Sequence, residues 1–368
     1  MREKKWKKGI LAVTWLLICI LSLMELNNIF VPKWTDDLAP TLTIDGFYAE
    51  KRNSLDVIFF GTSQALYGFS PMELYEDTGI KSYVCGTGSQ SIVCTYYWLR
   101  EALKYQKPKV VIVETMGAVD ESVLSDGAMH CALDYMRFSP DKVKAVMAVD
   151  KNYDFETSPL EYLVPILKYH DRWKELTSED FTYQFGDKDY FLKGHRVGDS
   201  IYADTKTDGI KVKHPENMVE MQDYQTEYLQ KIIDYCKKKK VKLVLTKTAL
   251  PLYSEESHNA IQKIADENDV PFLDYNVRKV WQDAGMDYLT DFADLPHLNI
   301  NGATKTTRYM GNYLLQNYPE IAVDLEKQKT DEKWAEDLKK YKEYLIPKKE
   351  QLAENIKFWE AVHANDTQ

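Results

Sequence analysis

Two short stretches, far apart in the chain, carry residue types that can do nucleophilic chemistry together. The first is GTSQALYG (61–68), where Ser63 follows Gly61 directly after an apolar run. A Ser two residues past a buried strand exposes its hydroxyl at the sheet edge as a helix begins. The second is DFADLPHLNINGATKTT (291–307), where Asp294 and His297 stand three apart in a Pro-containing turn. That spacing can set a carboxylate against an imidazole, fix the Nδ1–H tautomer and leave Nε2 to accept a proton from Ser63. Such a group is defined by roles, not by chain order. Taken singly, each stretch has a plainer explanation: Ser63 as a helix N-cap, and Asp294 with His297 as a solvated turn. Their combination points to a site, with strand-Gly-x-Ser near the start and Asp-x-x-His near the end.

The elements that must position these residues are legible as alternation. Short apolar runs, DVIFF (56–60), SYVC (82–85), KVVIVE (109–114), VKLVLTK (241–247) and VPFLDY (270–275), read as strands. Amphipathic patterns at 89–106, 216–240 and 254–268 read as helices between them. Near-continuous apolar strands separated by helices predict an α/β fold whose parallel sheet is covered on both faces. In such sheets reactive groups gather at the carboxyl ends of the strands. The alternation lapses over about 117–215, a stretch read as an insertion. Within it, KYHDRWKEL (168–176) concentrates His170, Arg172 and Trp173, and an Arg there could clamp a phosphate or carboxylate of an anionic polymer, with packing as the simpler role. Lys247 ends the fourth strand close to the expected site, with a solvated Lys as the simpler reading. Asn299 and Asn301 suit a helix cap, and the four Lys at 237–240 suit a solvated helix end.

Beyond Pro319 the chain is strongly charged with apolar residues at helical spacing. It reads as a tail of two helices broken at Pro347, packed on the domain or on a partner.

The chain of 368 residues carries 47 basic and 57 acidic side chains, formally −10. Five of the basic residues (Arg2, Lys4, Lys5, Lys7, Lys8) and one acidic residue precede position 9. The remainder therefore holds 42 basic against 56 acidic residues, a balance unsuited to nucleic acid. Positions 9–24 contain no charge and would span about 24 Å as a helix. Trp6 and Lys8 before it, and Phe30 to Trp34 after it, suit interfacial anchors. A cleaved signal peptide shares this pattern, but ELNNIFVPKW offers no small-x-small cleavage site, which favours an uncleaved signal anchor. The basic end would then stay in the cytoplasm and the domain would be extracytoplasmic. Cys85, Cys94, Cys131 and Cys236 are too sparse for a disulfide framework and no Cys/His cluster has zinc-ligand spacing, so no metal or cofactor is expected. The chain thus divides into a basic end and anchor (1–34), a domain (35–318) and a tail (319–368).

GTSQALYGFSP after the first strand, VCGTGSQS after the second and DLPHLNINGA near the end together resemble the SGNH/GDSL hydrolase superfamily. The resemblance covers roughly residues 50–316. It is nearer to the membrane-anchored branch around the D-alanyl transfer protein DltD and the polysaccharide O-acetylation proteins. It implies a three-layer α/β/α domain with a flavodoxin-like parallel sheet. It also implies Ser63 as nucleophile, His297 as general base and Asp294 as its orienting acid, with the Ser63 and Gly86 N–H groups holding the oxyanion. The usual Gly-Asp-Ser is here Gly61-Thr62-Ser63. The family's oxyanion Asn after the third strand is missing, since that strand ends VETMG, and Gln90 or Thr115 is left as the side-chain donor. The expected activity is acyl transfer to a polymer or glycan of a bacterial cell envelope, with deacylation by the same residues as the alternative. A third reading is a non-catalytic partner of a multi-pass membrane O-acyltransferase.

Overall fold

The computed structural model describes residues 2–33, 40–122, 124–183, 185–186, 190–321 and 330–364. The expected interfacial Trp34 lies outside them. Five parallel strands, β1 (Val57–Gly61), β2 (Ser82–Gly86), β3 (Val110–Glu114), β4 (Lys242–Lys247) and β5 (Phe272–Asp274), form one sheet in the order β2-β1-β3-β4-β5. This is a flavodoxin-like order, whose winding reverses beside β1 and opens a crevice at the carboxyl ends there. Every residue of β1, β2 and β3 is buried. The period of two explains how a continuous apolar run serves both faces. Ile58, Phe60, Val111, Val113 and Leu245 join one core, while Val57, Phe59, Val110, Ile112 and Val244 join the other.

Helices complete the outer layers. α1 (Arg2–Phe30) and α2 (Pro40–Ala49) precede the sheet, and α3 (Ser63–Gly68) and α4 (Pro71–Thr78) follow β1. α5 (Ile92–Tyr105) links β2 to β3, capped by the Ser91 hydroxyl. The insertion is helical: α6 (Met116–Val119), α7 (Asp126–Leu133), α8 (Pro140–Asn152), α9 (Pro159–Leu163), α10 (Ile166–Tyr169), a 3-10 turn (His170–Lys174) and α11 (Ser178–Thr182). α12 (Asp223–Lys239) starts later than its apolar pattern because Gln222 and Gln225 form a reciprocal cap. It ends at Lys240 in the left-handed conformation, with all four Lys exposed. α13 (Glu255–Asn268), α14 (Arg278–Asp283) and α15 (Ile300–Asn317) complete the fold, and Asn299 caps α15 by accepting from the Asn301 and Gly302 N–H groups.

α1 is longer than the uncharged run that marks it. Its stretch Trp6–Phe30 is long and apolar enough to cross a membrane, with an 18-residue window of mean hydropathy 2.2 that the rest of the chain leaves unburied.

The tail differs from expectation. One helix, Glu332–Ala364, runs through Pro347 without a break. Pro347 removes one intrahelical hydrogen bond, but it and Glu343 both face solvent, where water can take the freed carbonyl. The opposite face holds the helix in place. Trp334, Tyr341, Leu345 and Leu352 are buried, the Tyr341 hydroxyl bonds Ser70 and Glu73, and Asp337 pairs with buried Lys193 at 2.7 Å. The tail packs on its own domain.

Candidate active site

Ser63 opens α3 two residues after β1 ends at Gly61. Thr62 caps that helix, its hydroxyl accepting from the Gln64 N–H at 3.2 Å. Ser63 is therefore not the cap, and its hydroxyl is left to face outward. Gly61 leads into this turn with φ +152°, and a Cβ there would meet Glu114 Cβ at 2.7 Å. Only glycine lets the chain leave the strand so close to β3.

The second turn is equally constrained. The Ala293 N–H donates to the His297 carbonyl at 2.9 Å, and Phe292 bridges Leu298. This closes a tight loop around Asp294, whose carboxylate accepts from the His297 N–H and from Nδ1, both at 2.9 Å. Nδ1 must then carry the proton. His297 Nε2 lies 2.7 Å from Ser63 Oγ and accepts from it. The Tyr67 ring, 4.5 Å from the imidazole centroid and tilted by 32°, covers one face of His297. The imidazole is mostly shielded while Asp294 stays half-exposed.

A cavity of about 550 Å³ opens over this pair. Met116, Leu124, Leu250, Leu252, Leu295 and Pro296 give it a largely apolar wall. Of the two side-chain oxyanion candidates, Gln90 lines this cavity, and its amide donates to Thr95 Oγ1 at 3.0 Å. Thr115 does not line it: fully buried, it donates to the Thr246 carbonyl at 3.2 Å. Gly86 is paired with Gly61 across β1 and β2, and a Cβ on it would stand 2.5 Å from the Gly61 carbonyl oxygen.

The other candidates lie elsewhere or act differently. His170 is exposed on the insertion, and Arg172 donates to the Phe30 carbonyl at 2.6 Å and to Asp180 at 3.0 Å. Neither lines the cavity, so Arg172 ties the insertion to α1. Lys247 is not solvated but fully buried, which corrects its simpler reading. Its ammonium lies 3.2 Å from the equally buried Glu114 and donates to Gln64 Oε1 and to the Thr248 carbonyl.

This exposes a group that the sequence reading missed. Glu114 accepts from the Thr62 hydroxyl at 3.1 Å and from the Met116 N–H at 3.1 Å, while Lys247 holds Gln64. Both neighbours of Ser63 are thus fastened to a buried ion pair at the ends of β3 and β4. The available signal was a Glu and a Lys each terminating an otherwise apolar strand, which makes sense only if they face each other. Deeper still, buried His195 donates to the Leu66 carbonyl at 2.9 Å and so braces α3 from behind. Burial pushes its pKa down to about 4, so it is neutral.

No family model and no curated protein matches this chain. Solved structures do resemble it. A protein assigned as an acylhydrolase from Bacteroides fragilis NCTC 9343 is 13% identical with a TM-score of 0.33, covering 75% of this chain and 94% of its own. The acetylxylan esterase Axe2 from Geobacillus stearothermophilus is 11% identical with a TM-score of 0.34, covering 75% and 97%. A gut microbial diltiazem-metabolizing enzyme is 16% identical with a TM-score of 0.27, covering 73% and 48%. All three TM-scores are below 0.5, so the functional reading rests on the geometry of the site.

Proposed function

We propose that this chain is a membrane-anchored serine acyltransferase of SGNH type, acting on a polymer or glycan of the cell envelope. The observation that carries the reading is the continuous relay from Ser63 Oγ to His297 Nε2 and from Nδ1 to Asp294, at 2.7 and 2.9 Å. The motif resemblance and the apolar α1 support the anchored, envelope-facing part of it.

As the Ser63 oxygen attacks an acyl ester or thioester, its proton passes to His297 Nε2. The imidazolium that forms is stabilised by Asp294, which keeps its own charge. The negative charge on the carbonyl oxygen falls to donors at the start of α3, with the Gly86 N–H and Gln90 as candidate partners. Collapse expels the alcohol or thiol, which takes the proton from His297, and leaves an acyl-Ser63 ester. A hydroxyl of the acceptor then gives its proton to His297 and attacks that ester, and His297 returns the proton to the departing Ser63 oxygen. The apolar wall of the cavity suits the acyl portion.

Water in place of the acceptor hydroxyl gives a deacylase with the same residues. The sign of one change separates the readings. In cells, Ser63→Ala is expected to lower envelope-polymer acylation, whereas raised acylation establishes the deacylase. Unchanged acylation in that strain, with acylation lost on deleting the whole chain, establishes a non-catalytic partner.

A further inference from the structure

α1 changes character at a sharp point. From Trp6 to Leu26 its residues are exposed, a length of about 31 Å. From Asn27 to Phe30 they are half-buried, and Val31 to Lys33 are buried. That length reaches across a bilayer with a ~30 Å hydrocarbon core, the uncharged run 9–24 lying within it and Lys7, Lys8 and Glu25 falling at its two interfaces. The domain therefore begins where the lipid would end.

What meets the helix at this point is the insertion. The Asn27 side chain accepts from the Ile166 N–H at 3.1 Å, the Phe30 carbonyl accepts from Arg172, and the Pro32 carbonyl accepts from the Tyr135 hydroxyl at 3.0 Å. Next to these docked residues, large apolar side chains point into solvent. Leu167 beside Ile166 is 49% exposed, Trp173 beside Arg172 is 62%, and Phe181 beside Asp180 is 60%. Leu160, on the adjoining α9, is exposed as well. Aromatic and aliphatic groups exposed on the elements that meet the foot of such a helix are costly in water and favourable at a membrane interface.

We propose that this collar of Leu160, Leu167, Trp173 and Phe181 is a second membrane contact, seated in the leaflet that α1 enters. The proposal rests on the reading of α1 as membrane-spanning. Continuity with the helix foot identifies the occupant as lipid. Charge identifies which part of the lipid: residues 159–182 hold three cations and five acids, and Lys168 and Arg172 are already paired with Asp126 and Asp180. The collar thus engages acyl chains and interfacial depth, with no need for anionic headgroups. Two contacts instead of one would fix the tilt of the domain, so the cavity over Ser63 would hold a constant orientation to the membrane surface.

Spin-label accessibility tests this in the full chain, reconstituted in nanodiscs of pure phosphatidylcholine. Cys19 and Cys131, the thiols that are not buried, are replaced by Ala, and single Cys residues are introduced by Trp173→Cys, Phe181→Cys, Leu16→Cys and Lys239→Cys. The ratio of collisions with oxygen to collisions with a nickel chelate is then measured for each label. Positions 173 and 181 are expected to show ratios several-fold above the solvated position 239, approaching that of position 16. Ratios at 173 and 181 equal to that at 239, with position 16 still lipid-exposed, overturn the collar and leave a protein partner as its occupant. A water-like ratio at position 16 overturns the spanning helix, and the collar with it.

Discussion

His297 Nε2 stands 2.7 Å from Ser63 Oγ, and each group is delivered by a turn braced on its own account. The serine turn is fastened through Thr62 and Gln64 to buried Glu114 and Lys247. The histidine turn is closed by the Ala293–His297 backbone bond and by two bonds to Asp294. Each turn is thus held by bonds of its own, apart from the contact between Ser63 and His297.

That arrangement separates the roles of the two acidic groups. Asp294→Asn keeps Ser63 but loses the carboxylate that selects the Nδ1–H tautomer. Phosphonylation of Ser63 should slow by about 10²- to 10⁴-fold while thermal stability stays close to wild type. Rates measured with a fluorescent fluorophosphonate check this.

Lys247→Met should behave in the opposite way. It leaves the Glu114 carboxylate fully buried without its cation, at a cost of about 3–5 kcal/mol in denaturant unfolding. The double variant Glu114→Gln with Lys247→Met should recover a large part of that loss, since no buried charge then remains. A double variant no better than the single one would contradict the coupling.

Much of this was legible in the sequence, for physical reasons. Strands buried on both faces read as unbroken apolar runs, so all five were visible, and Gly61, Ser63, Asp294 and His297 sit at chain positions that local chemistry marks. The Glu114–Lys247 pair was only half legible: each residue visibly ends an apolar run, but their pairing depends on β3 and β4 lying side by side, which no local pattern encodes. Pro347 misled for a related cause. Its helix-breaking tendency is local, whereas the burial of Trp334, Tyr341, Leu345 and Leu352 that holds the helix together is tertiary.

Gly86→Ala tests how closely the first two strands must approach at the site. The new methyl would stand 2.5 Å from the Gly61 carbonyl, which is backbone and cannot swing aside. A loss of about 1–3 kcal/mol in unfolding free energy is expected, with phosphonylation slowed as well because Gly61 leads directly into Ser63.

The buried imidazole behind α3 predicts a dependence on pH. His195 is neutral in the folded protein, its pKa lowered by burial from 6.5 to about 4. The unfolded chain takes up a proton as pH falls through 6.5, while the folded chain does so only near 4. Its contribution is therefore fully present above about pH 6.5 and lost as pH falls toward 4, by up to about 3 kcal/mol. His195→Gln should flatten the stability profile across that window in denaturant titrations, and an unchanged slope would contradict the assignment.

The central claim is that Ser63 is the nucleophile. The most direct test is peptide mass spectrometry of the purified full-length protein after reaction with a fluorophosphonate. A single phosphonyl adduct on Ser63, absent from folded Ser63→Ala, is the predicted result. An adduct on another residue, or none on folded wild-type protein, would contradict it.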